Sequence, residues 1–378
     1  MIAQHCAKRS KKWTRSRLSD WSTTHCAKEG EKIMLAVAVT EPNSLKIVDV
    51  PEPTPGPYEA RIKTEVGCLC NMTDRKLIEG HFPGVEDYPL LLGHETVGIV
   101  DAVGAKVRNF KVGDRVIGGL LLKTTDPTYA SGWGGFSQYT LAGDHQAMVE
   151  DGLATNEHGW FEVYEIMRVV PKTISVEDTV MLCTWREVYG AFGDFDLKAG
   201  DNIIIYGAGP VGLSFVKFAR LLGLNEIYSV DFLPSKREKA LEMGATAAFA
   251  PDSPDLQAFL AKRKNSFDAI IDAVGKEGII NGALPLVKLG GSVCVYGVID
   301  TPSIRVDKDT GPYNFNLLIH QWPTRSRERA AQEPLIEWIK AGKLSYKEFI
   351  SVEFPITEIS KAFENSKTGQ PIKTLFRY

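Results

Sequence analysis

The sequence predicts an α/β protein in which a small antiparallel β-barrel precedes a doubly wound parallel sheet. Its 378 residues are too many for one ordinary core and favour at least two domains. Short strands separated by turn residues follow Met34, and strands alternate with helices after residue 171. The glycine pattern Gly207-Ala-Gly-Pro-Val-Gly212 stands at one strand–helix junction.

Residues 1–33 differ in composition from the rest of the chain. They are basic and rich in hydroxyl groups, have no sustained apolar period, and contain no acid before Asp20. We interpret them as a disordered or adventitious leader. A mitochondrial transit peptide is the alternative, because such peptides share this composition. Folding is predicted to start at Met34, and Met34–Val39 is the first predicted strand.

Residues 34–170 are predicted to form the first part of the barrel domain. Gly104 and Gly113 mark turns between short strands, which is typical of antiparallel barrels. Residues 143–166 are polar without a clear period, and we interpret them as an excursion at the rim of the barrel. The other predicted strands are Leu45–Val50, Tyr58–Val66, Thr96–Val103, Arg115–Leu120 and Phe136–Leu141.

Residues 171–313 are predicted to form the parallel-sheet domain, and residues 314–378 to return to the barrel. Ser292–Gly297 is expected to be the last strand of the sheet and its edge. An exposed apolar edge can pair with a second copy, so we expect a homodimer or homotetramer. The remaining predicted helices and strands are Glu177–Phe192, Asn202–Tyr206, Val211–Leu222, Glu226–Val230, Lys236–Met243, Ala269–Asp272, Pro334–Ala341, Ile356–Ser366 and Ile372–Phe376.

Charge and composition exclude several classes of partner. The formal net charge of −3 gives no support for binding to nucleic acid or an anionic membrane. No apolar run approaches the ~18 residues that a membrane helix needs. The six cysteines are scattered, which favours a reducing compartment and metal ligands over a disulfide scaffold. We therefore expect a cytoplasmic protein that acts on a small molecule.

The glycine pattern predicts a dinucleotide site. Gly207 suits a tight turn, Gly209 a close approach of the backbone to phosphate, and Gly212 close packing of helix on strand. Pro210 and Val211 begin the helix whose N-terminus would receive the pyrophosphate. An apolar strand before the pattern and a helix after it favour this interpretation over a structural turn that binds nothing.

Asp231, at the end of the next strand, predicts the cofactor. Its carboxylate would accept hydrogen bonds from the adenosine ribose hydroxyls and repel a 2′-phosphate, so NAD is favoured over NADP. Lys236 and Arg237 lie nearby in sequence and would partly offset that repulsion. We assign Arg237 to cofactor binding.

Cys70, His94 and Cys183 are the candidate metal ligands. Two sulfurs and one imidazole form a set that zinc accepts, with its fourth tetrahedral position open for water or substrate. Each residue alone is explained as well by a place in the core or a turn. Their joint presence with Gly93-His94-Glu95 favours a metal site. A Lewis acid and a hydride carrier in one chain imply alcohol–carbonyl redox chemistry.

Several further segments form a recognisable set, namely Gly93-His94-Glu95 with Val97-Gly98-Ile99-Val100, Lys111–Val116, Gly134-Gly135-Phe136 with Gln138-Tyr139, and Phe354-Pro-Ile with Ala362-Phe363 and Ile372-Lys373. Through these segments, residues 34–378 resemble the medium-chain zinc-dependent alcohol/polyol dehydrogenase family. The resemblance implies a GroES-like barrel as the catalytic domain, a Rossmann domain that binds NAD, and a zinc-dependent dehydrogenase acting on CH–OH groups. A zinc-free quinone or enone reductase and a non-catalytic nucleotide sensor of the same fold are the alternatives.

Carried over to this chain, the resemblance makes Cys70, His94 and Cys183 the first, second and third zinc ligands. Glu95 matches an acid that can approach or transiently replace a ligand. Asp74 matches the acid that would accept the other N–H of the bound histidine.

The sequence departs from the family pattern in three places, and one further residue, Lys373, is assigned beside them. The relay hydroxyl usually lies two residues after the first ligand, where this chain has Met72, and Thr73 follows one step later as the candidate relay. We assign Lys373 to cofactor binding. No cysteine lies between residues 116 and 143, so we expect one catalytic zinc and no structural zinc. Arg186 and Glu187 stand where the family has small or apolar residues, and they either face the substrate or pair with each other.

Overall fold

A computed structural model describes residues 32–299 and 301–378, so the leader predicted at residues 1–33 lies outside the described residues except for its last two. The strands are β1 (Ile33–Glu41), β2 (Ser44–Pro51), β3 (Glu59–Leu69), β4 (Leu90–Leu92), β5 (Thr96–Val103), β6 (Arg115–Ile117), β7 (Ala130–Gly132), β8 (Tyr139–Gly143), β9 (Arg168–Val169), β10 (Ile203–Tyr206), β11 (Ile227–Val230), β12 (Ala247–Phe249), β13 (Phe267–Asp272), β14 (Val287–Val295), β15 (Asn316–Ile319), β16 (Ile350–Pro355) and β17 (Lys373–Arg377). The α-helices are α1 (Thr73–Glu79), α2 (His145–Glu150), α3 (Val176–Asp194), α4 (Pro210–Leu221), α5 (Pro234–Glu242), α6 (Pro254–Ala261), α7 (Glu277–Ala283), α8 (Arg325–Ala330), α9 (Gln332–Lys340) and α10 (Ile359–Ser366).

The barrel is built from two mostly antiparallel sheets, as the sequence predicted. Their strand orders are β2-β1-β4-β7 and β16-β17-β3-β5-β6-β9, and β8 pairs with β3. The long strand β3 is the centre of the second sheet. The final strand β17 pairs with β3, so the end of the chain returns to the barrel as expected. The pairs β4–β7 and β16–β17 are parallel and depart from the antiparallel pattern.

The segment at residues 143–166 is more than a polar excursion. Asp144 caps α2, because its Oδ1 accepts a hydrogen bond of 3.0 Å from the backbone N–H of Ala147. Val163, Tyr164 and Ile166 then pack into the barrel core. Short 3₁₀ turns carry these side chains, and such turns have no period that the sequence pattern could reveal.

The second domain contains a six-stranded parallel sheet in the order β12-β11-β10-β13-β14-β15. Counted from β10 this is 3-2-1-4-5-6, the doubly wound order with its topological switch between β10 and β13. The prediction that Ser292–Gly297 forms the edge is wrong, because Ser292 of β14 pairs with Asn316 of β15. The edge strand β15 has only four residues and lies beyond the boundary predicted at residue 313.

Helix α3 joins the two domains. The side chain of Ser175 caps its first turn by accepting from the N–H of Asp178 at 3.0 Å. One buried cluster combines side chains of α3 with barrel residues such as Val66 and with Phe215 and Phe218 of α4. The helix is therefore packed against both domains. Among the described residues, no helix has the length and apolarity needed to cross a membrane.

Candidate active site

The barrel sheet brings three possible metal ligands together at one end of β3. On one side β17 pairs Thr374 with Leu69, and on the other β5 pairs Thr96 with Gly67. The residues just beyond these pairs therefore meet. The ligand atoms of three of them, namely Cys70, His94 and Glu95, all lie within 4.8 Å of one another.

Asp74 fixes two of these residues. It is fully buried, its Oδ1 lies 3.0 Å from Nδ1 of His94, and its Oδ2 accepts from the backbone N–H of Cys70 at 2.8 Å. Burial alone would lower the pKa of His94, but Asp74 and Cys70 outweigh it and raise that pKa well above its usual value. A carboxylate on one ring nitrogen leaves the other available to a metal ion, which is the usual arrangement of metal-binding histidines.

Glu95 is held by two buried partners. Lys373 donates from Nζ to Oε1 of Glu95 at 2.7 Å and to Oγ1 of Thr184 at 3.1 Å, and Thr184 donates to Oε2 of Glu95 at 3.3 Å. Burial would lower the pKa of Lys373, but Glu95 and Cys70 raise it, so the amine is a fixed cation. The structure thus pairs Lys373, which the sequence assigns to cofactor binding, with Glu95 of the candidate metal site.

Cys183 lies on α3 and is 8 % exposed, but it is not part of the 4.8 Å cluster. Burial, followed by the charge of Glu95, raises the pKa of its thiol. Its role as third ligand stays a prediction. The clustered sulfur, nitrogen and carboxylate oxygen are donors that zinc accepts, and their spacing suits one ion bound at about 2.0–2.3 Å. These residues therefore fit a zinc ion.

Thr73 and Trp133 adjoin this cluster. Thr73 begins α1, is buried beside Asp74, and its hydroxyl makes no hydrogen bond with any of the described residues. The ring of Trp133 meets that of His94 edge-on at 6.1 Å between centroids and that of Phe82 at 5.3 Å. We did not identify Trp133 from the sequence. Its place directly before Gly134-Gly135 was the available signal.

The predicted dinucleotide turn connects β10 to α4. A Cβ on Gly212 would lie 1.7 Å from the carbonyl oxygen of Gly207, so close packing of the turn requires glycine there. A Cβ on Gly209 would meet no protein atom within 4 Å. The protein itself leaves the space over Gly209 free, as a bound phosphate would require. Pro210 is the first residue of α4, and Val211 follows it.

Asp231 organises the neighbouring loop. Its Oδ2 accepts from the N–H of Ala208 at 2.7 Å and its Oδ1 from the N–H of Leu233 at 2.9 Å. Arg237 donates to the carbonyl of Asp231 at 2.8 Å, so it supports the loop backbone. Lys236 is buried nearby, and burial lowers its pKa to about 8 although Asp231 opposes this shift.

Arg186 and Glu187 do not pair with each other. Arg186 is buried and donates to the carbonyl of Ile166 at 2.9 Å and to Oε1 of Gln332 at 3.0 Å. Glu187 instead accepts from Nε1 of Trp322 at 3.1 Å. Arg186 therefore has a structural role, whereas Glu187 contacts Trp322, which follows β15.

Comparison with known proteins gives consistent matches. Residues 56–150 match the alcohol dehydrogenase GroES-like domain, and residues 210–321 match the zinc-binding dehydrogenase domain. An alcohol dehydrogenase from Moraxella sp. is 30% identical over 264 residues, covering 68% of this chain and 74% of that protein. A sorbitol dehydrogenase from Halalkalibacterium halodurans is 26% identical over 342 residues, covering 87% and 94%. A structure of the alcohol dehydrogenase RspB from Escherichia coli with NADH has a TM-score of 0.73 at 21% identity, covering 92% of this chain and 100% of that one.

Proposed function

Because the chain belongs to the medium-chain zinc-dependent alcohol/polyol dehydrogenase family, we propose that it transfers a hydride between NAD(H) and a secondary alcohol, polyol or sugar-like substrate. The observation that carries the proposal is the double contact of Asp74 with Cys70 and His94 beside Glu95. Such a contact fixes the backbone of Cys70 and the imidazole of His94, the two residues whose sulfur and ring nitrogen would bind one metal ion.

We assign Cys70, His94 and Cys183 as ligands of one zinc ion per chain and expect no structural zinc. When bound, zinc supplies a Lewis acid that lowers the pKa of the substrate hydroxyl, and NAD accepts the hydride. The ligand atom of Glu95 lies within 4.8 Å of those of Cys70 and His94, and its pairing with Lys373 balances its charge when it is not a ligand.

The chain's own residues would position the substrate and move its proton. Thr73 Oγ1, which has no hydrogen-bond partner among residues 32–299 and 301–378, is the proposed first group of a proton relay: it would accept a hydrogen bond from the substrate hydroxyl and, as it takes up that proton, release its own proton to solvent water. The ring of Trp133 beside His94 is the proposed apolar wall against the substrate carbon, and it excludes water from the reacting atoms.

The dinucleotide would cross the carboxyl ends of the parallel strands. Its pyrophosphate would lie over Gly209 at the start of α4, and its adenosine ribose beside Asp231. The carboxylate of Asp231 favours NAD, as the sequence indicated. The buried amine of Lys236 lies within electrostatic range of that carboxylate.

A turnover screen tests this function. Secondary alcohols, polyols and sugars are each offered with NAD⁺ or with NADP⁺ to the full chain, and NADH or NADPH formation is followed by absorbance. The proposal expects turnover of at least one CH–OH substrate with NAD⁺ preferred. Reduction of quinones or enones with no oxidation of any alcohol would favour the zinc-free alternative.

A further inference from the structure

Glu187 is a partly buried acid that the proposed chemistry does not use. It lies one helical turn after Cys183 on α3, so both side chains leave the same face of the helix. Its Oε1 accepts from Nε1 of Trp322 at 3.1 Å, and its Oε2 lies 3.5 Å from the hydroxyl of Tyr296, a long hydrogen bond. Both partners are neutral, so neither balances a negative charge.

The nearby cation is already engaged. Arg325 acts on Glu187 electrostatically, but its Nη1 donates to Oε2 of the buried Glu328 at 2.8 Å. Burial, then Glu328, then Glu95 raise the pKa of Glu187 to about 7, while His94 and Arg325 oppose this shift. Glu187 therefore lies within electrostatic range of His94 and Glu95, and above pH 7 its carboxylate carries a charge with which no cation among residues 32–299 and 301–378 forms an ion pair.

The position of Glu187 relative to the parallel sheet indicates which half of a bound dinucleotide it would face. Tyr296 directly follows β14, and Trp322 follows β15, so both lie at the carboxyl edge of the sheet. In this strand order a dinucleotide spans that edge from the β11 side, where Asp231 lies, towards β13 and β14. The nicotinamide half therefore belongs on the side of Tyr296, and hydride transfer requires its ring to approach His94 and Cys70.

We propose that Glu187 is a positioning residue for the nicotinamide ring, whose carboxylate selectively stabilises the oxidised cofactor. The ring of NAD⁺ carries a positive charge, and the ring of NADH carries none. A carboxylate beside Tyr296 and Trp322 at the sheet edge attracts the ring of NAD⁺ but has no such attraction for the ring of NADH. The inference rests on the proposed function, since it needs a nicotinamide cofactor in the cleft.

The expected effect is large enough to measure. A unit charge a few ångströms from the ring in a partly solvated cleft changes affinity by roughly tenfold, which corresponds to about 1.4 kcal/mol. The charge acts on one redox form only, so the ratio of the two dissociation constants changes with it. A residue that merely supports the fold would weaken binding of both forms alike.

The experiment measures Kd for NAD⁺ and for NADH with the full chain at a pH well above 7. The variants are Glu187→Gln, which keeps an acceptor for Trp322, and Glu187→Met, which is apolar and tolerates burial. Glu177→Gln is the matched control, because Glu177 lies on the same helix but pairs with Arg377 on the surface. Melting temperatures show whether each variant is folded.

Both Glu187 variants are expected to weaken NAD⁺ binding by roughly tenfold and to leave NADH binding within about twofold, while the control changes neither. Equal weakening of both forms, or an unchanged ratio in the two folded variants, would overturn the inference. If the wild-type chain binds neither NAD⁺ nor NADH, the proposed function itself is wrong.

Discussion

Lys373 and Glu95 form a buried ion pair with 2.7 Å between Nζ and Oε1, although 278 residues separate them in the chain. The pair connects the first residue of β17 to the turn that carries His94. It therefore ties the end of the chain to the candidate metal cluster. The contact also explains why a cation at this position is compatible with a buried site.

Replacing Lys373 by Met is expected to destabilise the protein by about 3–5 kcal/mol, because it leaves the buried Glu95 carboxylate unpaired. Urea unfolding followed by circular dichroism measures the loss. Lys361→Met is the control, since Lys361 pairs with Glu358 on the surface. An equal loss in the free energy of unfolding in both variants would show that the buried pair stabilises the protein no more than a surface pair does.

Two glycines of the β10–α4 turn are expected to respond differently to alanine. Gly212→Ala forces a Cβ against the carbonyl of Gly207 and should lower the melting temperature markedly. Gly209→Ala meets no protein atom and should keep the melting temperature but lose NADH affinity, because its methyl group occupies the phosphate's place.

Gly278→Ala, which also meets no atom, is the control for Gly209→Ala and should keep both properties. Thermal unfolding and NADH fluorescence titration check these outcomes. Unchanged NADH affinity in Gly209→Ala would contradict the proposal that the dinucleotide binds at this turn.

The edge strand β15 replaces Ser292–Gly297 as the predicted contact between copies. Ile319 at its end is 46% exposed, and an apolar edge of this kind favours pairing with a second sheet. Ile319→Glu should shift the protein towards monomer, because it places a charge on the apolar edge that two-fold pairing would bury in each copy. Light scattering of wild type and variant gives the masses, and a monomeric wild type at micromolar concentration would reject the prediction.

Asp74→Asn is expected to lower zinc affinity by roughly 10- to 100-fold, because an amide supports the imidazole and the Cys70 backbone less well than a carboxylate. Competition with a chromophoric chelator measures the affinity. Asp114→Asn is the control, since the side chain of Asp114 accepts from the N–H of Lys111 in an exposed turn. Equal zinc affinity of wild type and Asp74→Asn would contradict the role given to Asp74.

The sequence predicted those parts of the fold and site that short-range patterns determine. The alternation of strands and helices after residue 171 and the glycine turn depend on neighbouring residues, and the structure confirms both elements. Cys70, His94 and Glu95 were identified by their motifs, and the sheet register brings them together.

What the sequence did not predict depends on long-range contacts. The partner of Lys373 is set by the pairing of β17 with β3, and no local pattern encodes that register. Arg186 and Glu187 are adjacent and opposite in charge, yet neighbours on a helix point in different directions, so each finds a separate partner. The four-residue strand β15 is too short to show a period, which is why the sheet edge was misplaced.

Elemental analysis of the purified full chain, of Cys70→Ser and of His94→Ala shows whether these residues hold a catalytic zinc ion. We expect about one zinc per chain in the wild type, loss of both zinc and alcohol turnover in the two variants, and NADH binding that stays nearly intact, because the dinucleotide turn lies in the other domain. A wild type that turns over alcohols without zinc, or variants that lose NADH binding as fully as turnover, would contradict this expectation.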